Sequence, residues 1–153
     1  MDRYDISSRV QAIGIISIKD ETTRKEVIEW LWSIGVAAIV LSEKSELELP
    51  NIIYTKRLAS SYIAGLDFFI YDGKTKDINV LECIRHGVVP ILPEKNNFSS
   101  LLTAFNPLKF CGNAFMYKKE NTYTIFSKVV SFLENNRFPE DRKVLVKNVC
   151  GTY

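Results

Sequence analysis

Residues 71–92 read YDGKTKDINVLECIRHGVVPIL and hold the side chains best suited to chemistry. Glu82 sits among apolar neighbours, and a carboxylate there can accept hydrogen bonds from ligand hydroxyls. The loop ahead of it carries Lys74, Lys76 and Asp77, where a ligand-binding loop often carries glycines. Asp77 suits the N-cap of a helix over 78–86, with Ile78, Leu81 and Ile84 directed to a core at spacings of three. Glu82 lies beside that apolar face. It is either an ordinary surface carboxylate paired with Arg85 at i+3, or a carboxylate facing a cleft. His86, in the last turn before Gly87, suits the negative end of the helix and its terminal carbonyls. As the one histidine of the chain, it leaves no material for a His-based triad or a multi-histidine metal centre.

The elements that must position these groups follow from periodicity. Arg9 to Ile18 is β-branched and almost continuously apolar, as a strand buried on both faces would be. Asp20 is an N-cap, Gly35 a stop, and Val27, Ile28, Leu31 and Ile34 form one face of the helix between them. Val36 to Ser42 is a second strand, 51–55 a third, 66–72 a fourth and 88–92 a fifth. A short helix is expected over Lys56 to Gly65 and another around Phe98 to Phe105. A last strand follows at 114–118, then an amphipathic helix with Ile125, Val129 and Phe132 on one face. The tail from Arg137 reads as irregular. Alternating strands and helices predict one α/β, doubly wound, mainly parallel, Rossmann-like domain over 1–153, with helices on both faces. Ligands of such sheets bind beyond the carboxyl ends of the strands, where strand order switches.

The 153 residues suffice for a core without staples, and 46% hydrophobic with 25% charged residues is ordinary for a globular chain. A net charge of +2, without a basic run interleaved with aromatics, gives no support for nucleic acid or an anionic membrane. The charged N-terminus has no apolar core of the signal-peptide kind, and no apolar run reaches the ~20 residues that span a bilayer. Cys83, Cys111 and Cys150 match no metal-ligand spacing. Three unclustered cysteines fit free thiols in a reducing, cytoplasmic setting, and no metal or cofactor is expected. Neither G-x-G-x-x-G, nor a Walker-type loop, nor G-x-S-x-G occurs.

From Leu58 to Asn136 the chain resembles the C-terminal domain of the glycogen and starch synthases, retaining glycosyltransferases of the two-domain GT-B fold. Ala64-Gly65-Leu66-Asp67 matches the family's Ala-Gly-Ala-Asp lead-in to an apolar strand. Residues 81–87, LECIRHG, match a helix reading roughly Gln-Leu-Glu-Ala-Met-Arg-Tyr-Gly, and Val88 to Leu92 match Thr-Val-Pro-Ile-Val. Asn106-Pro107 and Gly112-Asn113-Ala114-Phe115 resemble further Asn-Pro and Gly-Thr-Gly-Phe elements. The resemblance implies ADP-glucose or UDP-glucose as partner and Glu82 as the contact to the nucleotide ribose.

The departures concern the rest of the donor site. The family's sugar-contacting glutamate falls on Lys74, which accepts no hydrogen bond and reverses the charge, so no catalytic residue is assigned. The Pro-Cys-Gly-Leu that follows falls on Thr75, Lys76, Asp77 and Ile78. Asp77 there sets a carboxylate against the place of the diphosphate, a repulsion of about 4 kcal/mol at contact and an effective dielectric near 20. The Thr-Gly-Gly-Leu loop falls on Lys95, Asn96, Asn97 and Phe98, where asparagines could keep a left-handed turn. The phosphate-binding Arg and Lys fall on Ile18 and on Thr23 or Arg24. The expected donor-site residues are therefore Glu82, Ile78, Asp77, Asn96 and Asn97. The acceptor-binding N-terminal half, about 200 residues more, is expected to be absent, leaving a domain that cannot by itself enclose and align donor and acceptor. Two functions stay open: a degenerate nucleotide-sugar half-domain of a hexosyltransferase, and a non-catalytic binding or assembly module for a partner protein or a glycan.

Overall fold

The computed structural model describes residues 11–43 and 47–152. Arg9 and Val10, the expected start of the first strand, lie outside the described residues, as do the charged N-terminus and part of the polar connection after the second strand.

Six strands form one sheet: β1 (Ala12–Ser17), β2 (Val36–Leu41), β3 (Ile52–Thr55), β4 (Phe68–Tyr71), β5 (Val89–Pro93) and β6 (Phe115–Tyr117). Every pairing is parallel, and the order is β3-β2-β1-β4-β5-β6. The chain leaves β1 towards one edge and returns through β4 towards the other, so the switch in strand order lies between β1 and β4. β2 is buried at every residue, which requires cover on both faces of the sheet. That cover is α1 (Glu21–Ser33) packed against α4 (Thr122–Asn136), and α3 (Val80–Arg85) packed against α5 (Pro139–Cys150); α2 is the single turn Ser60–Ile63.

The six strands form where the sequence predicts them: β1 and β2 are continuously apolar runs that leave no polar face for a surface helix, and β4 and β6 are short aromatic-rich ones. Three expectations are corrected. The helix expected over 78–86 starts two residues later: Asn79 rather than Asp77 is the N-cap, and its Oδ1 accepts the Glu82 N–H at 3.1 Å. That start buries Val80, Cys83 and Ile84, a tighter inward set than Ile78, Leu81 and Ile84. No helix forms around Phe98 to Phe105. The chain makes a turn there, and Ala104 bridges in parallel to Ala114 while Asn106 bridges to Cys111. Asn113 holds this excursion, its Oδ1 accepting the Thr103 N–H at 2.8 Å and its Nδ2 donating to the Leu101 carbonyl at 2.9 Å. The tail expected to be irregular is α5, with Pro139 in its first turn and Leu145 and Val149 fully buried.

Among the described residues no helix is long and apolar enough to cross a membrane.

Candidate functional site

The carboxyl ends of β1 and β4 meet at the switch point, and there the chain binds itself. Asp72, directly after β4, is buried. Its Oδ2 accepts the Lys19 N–H at 2.7 Å, and its Oδ1 accepts the N–H groups of Lys74 and Thr75 at 2.8 and 3.1 Å. The hydroxyls of Ser17 and Thr75 hydrogen-bond across the same gap. The crevice is therefore bridged from both sides by its own backbone amides and one internal carboxylate.

Lys74 reaches over this knot to Glu120 on the connection between β6 and α4. Its Nζ lies 2.7 Å from Glu120 Oε2. That hydrogen bond, then the charges of Glu120, Asp72 and Asp20, raise the Lys74 ammonium above its ordinary value. Beneath it, the buried Tyr117 hydroxyl donates to the Tyr71 carbonyl at 3.2 Å. Burial, aided by the charges of Glu120 and Asp72, pushes that phenol far up. Three carboxylates, of Glu120, Asp72 and Asp20, thus act on one lysine at the switch point.

On the other side of the β4–α3 loop lies a cavity of about 420 Å³. Leu41 at the end of β2, Leu58, Ile63, Ile78 and Cys83 give it apolar walls. Lys56, Arg57, Lys76, Asp77, Asn79 and Glu82 give it a polar rim. The volume is in the range of small-ligand sites. Glu82 is half-buried, and the Asn79 cap fixes the turn that carries it.

The structure therefore brings Glu82, Ile78 and Asp77 to one cavity and leaves Asn96 and Asn97 out of it. The left-handed turn expected for those asparagines is not formed; among the described residues outside glycine, positive φ occurs at Asn51 and Phe110. Asn96 builds the turn with its side chain instead, Nδ2 donating to the Pro93 carbonyl at 2.7 Å and Oδ1 accepting the Phe98 N–H at 2.7 Å. Asn97 is exposed. Of the positions aligned with the phosphate-binding cations, Ile18 is in the core, and Thr23 is tied to Asp20 through its N–H and its hydroxyl. Arg24 donates to the Ile18 and Lys19 carbonyls at 2.8 and 3.2 Å. Asp72, the centre of the knot, was missed by sequence reasoning. Its signal was an aspartate closing an apolar strand immediately before Gly73.

An all-parallel Rossmann-like sheet with its cavity at the strand ends is the architecture of one half of a GT-B enzyme. Solved structures agree. The catalytic domain of starch synthase IV from Arabidopsis thaliana, bound to ADP and acarbose, superposes with a TM-score of 0.66 at 13% identity, over 96% of this chain and 36% of that one. The C-terminal CMP-Kdo binding domain of WaaA from Acinetobacter baumannii gives 0.61 at 12%, over 95% of this chain and 90% of that one. The glycotransferase of kitacinnamycin gives 0.61 at 13%, over 95% and 42%. No family model and no curated protein matches the sequence. At these identities the likeness is one of fold. The chain spans about two-fifths of the length of the larger glycosyltransferases it matches.

Proposed function

We propose that the chain is a nucleotide-sugar-binding-type domain of a glycogen- or starch-synthase-like glycosyltransferase, degenerate at its donor site and inactive alone. The observation that carries this reading is the Lys74–Glu120 pair over the Asp72 knot: the groups at the switch point, where the resemblance implies the sugar and diphosphate contacts, bind each other instead. Catalysis of transfer needs preorganised groups aimed at the reacting centre, and a lysine engaged elsewhere supplies none. The fold shared with enzymes of this kind, and the cavity beside Glu82, support descent from a working donor site. The test is incubation of the full chain with radiolabelled ADP-glucose or UDP-glucose and glycogen. No transfer above an enzyme-free control is expected. Measurable transfer, or tight sugar-nucleotide binding that Glu82→Ala abolishes, overturns the degenerate reading.

The second reading, a binding or assembly module, is favoured by the loop after Asn106, where Leu108 is 90% and Phe110 59% exposed. Co-sedimentation with glycogen that a Phe110→Ser change abolishes would carry it for a glycan.

A further inference from the structure

We infer that the turn 106–111 and the outer face of α5 form a docking surface for an anionic lipid membrane, at the end of the sheet opposite the cavity beside Glu82. The inference stands apart from the donor-site reading and gives the loop of the second reading a different partner.

The turn is a fixed structure. Asn106 and Cys111 exchange backbone hydrogen bonds at 2.8 and 3.3 Å, and Asn106 Oδ1 accepts the Leu108 N–H at 3.0 Å. Asn148 of α5 straps it, its Nδ2 donating to the Phe110 and Gly112 carbonyls at 3.3 and 3.0 Å. Phe110 is held at φ +53, a left-handed conformation that bulky residues rarely adopt. Gly112, at φ +92, sits where a Cβ would lie 2.2 Å from the Ala104 carbonyl oxygen. Leu108, Lys109 and Phe110 thereby stand in solvent on a turn that cannot fold them inward. Backbone strain held in place by its surroundings points to a use for the tip. The turn precedes β6 in an all-parallel sheet, so it lies at the amino ends of the strands, whereas the Glu82 cavity lies at the carboxyl ends.

Charge decides what the tip fits. The net charge of +2 conceals a segregation: residues 99–117 carry Lys109 and no acid, and residues 142–152 carry Arg142, Lys143 and Lys147 and no acid. Phe110 and Lys147 line one surface depression, and Arg142, Lys143, Val146 and Lys147 line the next, so the basic and apolar groups are contiguous. Arg142 and Lys143 keep loose ion pairs with Asp67 and Glu140, at 3.9 and 3.8 Å, and Lys109 and Lys147 pair with no described acid. A partner must therefore take in two apolar side chains while setting anions around the ammonium between them. The interface of an anionic bilayer does both: acyl chains receive Leu108 and Phe110, and headgroups receive Lys109, Lys143 and Lys147. Residues 107–111 have no side-chain oxygen to accept from sugar hydroxyls. Leu108, the more exposed of the two apolar tips, has no ring on which a nucleic-acid base could stack.

The experiment is flotation of the full chain with vesicles of phosphatidylcholine alone and with vesicles in which about one-third of the lipid is phosphatidylserine. The chain is expected to float with the anionic vesicles and not with the neutral ones, and to come off at about 1 M salt, where the screening length is about 3 Å. Leu108→Ser and Phe110→Ser should each weaken binding about tenfold. Lys109→Glu and Lys147→Glu should each weaken it about fivefold or more. Lys25→Glu, the same charge change on α1, should leave it unchanged. Should Phe110→Ser disturb the strained turn, Leu108→Ser, at a position that packs against almost nothing, still decides. The inference is overturned if neither vesicle binds, if both bind equally, if Leu108→Ser binds as the parent does, or if Lys25→Glu weakens binding as much as Lys147→Glu. Pelleting with glycogen, or dimerisation, that Leu108→Ser abolishes in a chain that ignores vesicles assigns the turn to a glycan or to a second copy and overturns it likewise. Glucosyl transfer, which decides the donor-site reading, moves none of these outcomes.

Discussion

Two aspartates bracket β4 and are held by different partners. Asp72 collects three amides at the carboxyl end, whereas Asp67 at the other end has one, the Ile13 N–H at 2.8 Å, with the Arg142 guanidinium 3.9 Å away. Desolvation by burial outweighs both partners and raises the Asp67 carboxyl above its ordinary value. A raised pKa means the folded chain holds this proton more tightly than the unfolded chain does. Its contribution to stability is present below the unfolded value, about 3.9, and is lost as pH rises through the folded one. Asp67→Asn, which keeps an acceptor for Ile13, should therefore gain stability relative to the parent at pH 7 compared with pH 3.5. Urea unfolding at the two pH values checks this, and an equal difference at both would count against it. The same reasoning sorts the thiols. Burial, with the Glu82 charge adding to it, pushes Cys83 up to about 12, while Cys111 and Cys150 are exposed. Iodoacetamide at pH 8 should place two adducts on the native chain and a third only after unfolding, because the thiolate is the reactive form. Three rapid adducts on native protein, seen by mass spectrometry, would refute the assignment.

At the scale of elements, the central strands were legible because burial on both faces demands an uninterrupted apolar sequence. The helices were less so. Asp77 and Asn79 are both good caps, and the choice between them rests on which start buries the better apolar set, a tertiary matter. The turn after β5 was misread because an asparagine side chain, rather than a left-handed backbone, closes it. α5 was hidden because its apolar residues form no single face: Leu145 and Val149 are fully buried while Val144 is half-buried and Val146 and Cys150 are exposed. The half of the candidate site on α3 was readable from Glu82. The half at the switch point was not: the Lys74 and Thr75 amides are local turn partners of Asp72, but nothing in a sequence shows the Lys19 amide, 53 residues away, joining them. One element-level constraint passed unremarked in the sequence: Gly14, in the middle of β1. A Cβ there would lie 2.3 Å from the Phe68 ring, which is fully buried and packs against Phe132 at 5.3 Å between centroids. With no room for the ring to retreat, Gly14→Ala should destabilise the chain by about 2–3 kcal/mol through overpacking. The measurement is the urea midpoint; a shift corresponding to less than about 0.5 kcal/mol, the usual range for unconstrained surface changes, would mean the core yields there.

At the scale of the molecule, the knot at the switch point and the packing of α5 act on the same short helix from opposite sides. α3 has only six residues and could not persist alone, since isolated helices below about 12 residues are marginal. Its register is set at one end by Asn79 and the clamped β4–α3 loop. At the other end the His86 Nδ1 lies 2.9 Å from the Glu82 carbonyl, and Gly87 tucks beneath Val146 and Cys150 of α5. Gly87 has φ +78, and a Cβ there would come within 3.0 Å of the Cys150 sulfur, so α5 sits as close to this turn as a side-chain-free residue allows. Removing α5 by ending the chain at Phe138 therefore strips two fully buried aliphatic side chains and the lid over the end of α3. About 3 kcal/mol of stability should be lost from the Leu145 and Val149 burial, counted near the low end of the usual range for each. Amide protection should fall first in α3 and with it the wall of the cavity that carries Glu82, while the β1–β2 amides stay protected until global unfolding. Hydrogen exchange on the shortened chain reads both effects. Unchanged protection of α3 would show that the clamp at Asp72 holds the helix unaided.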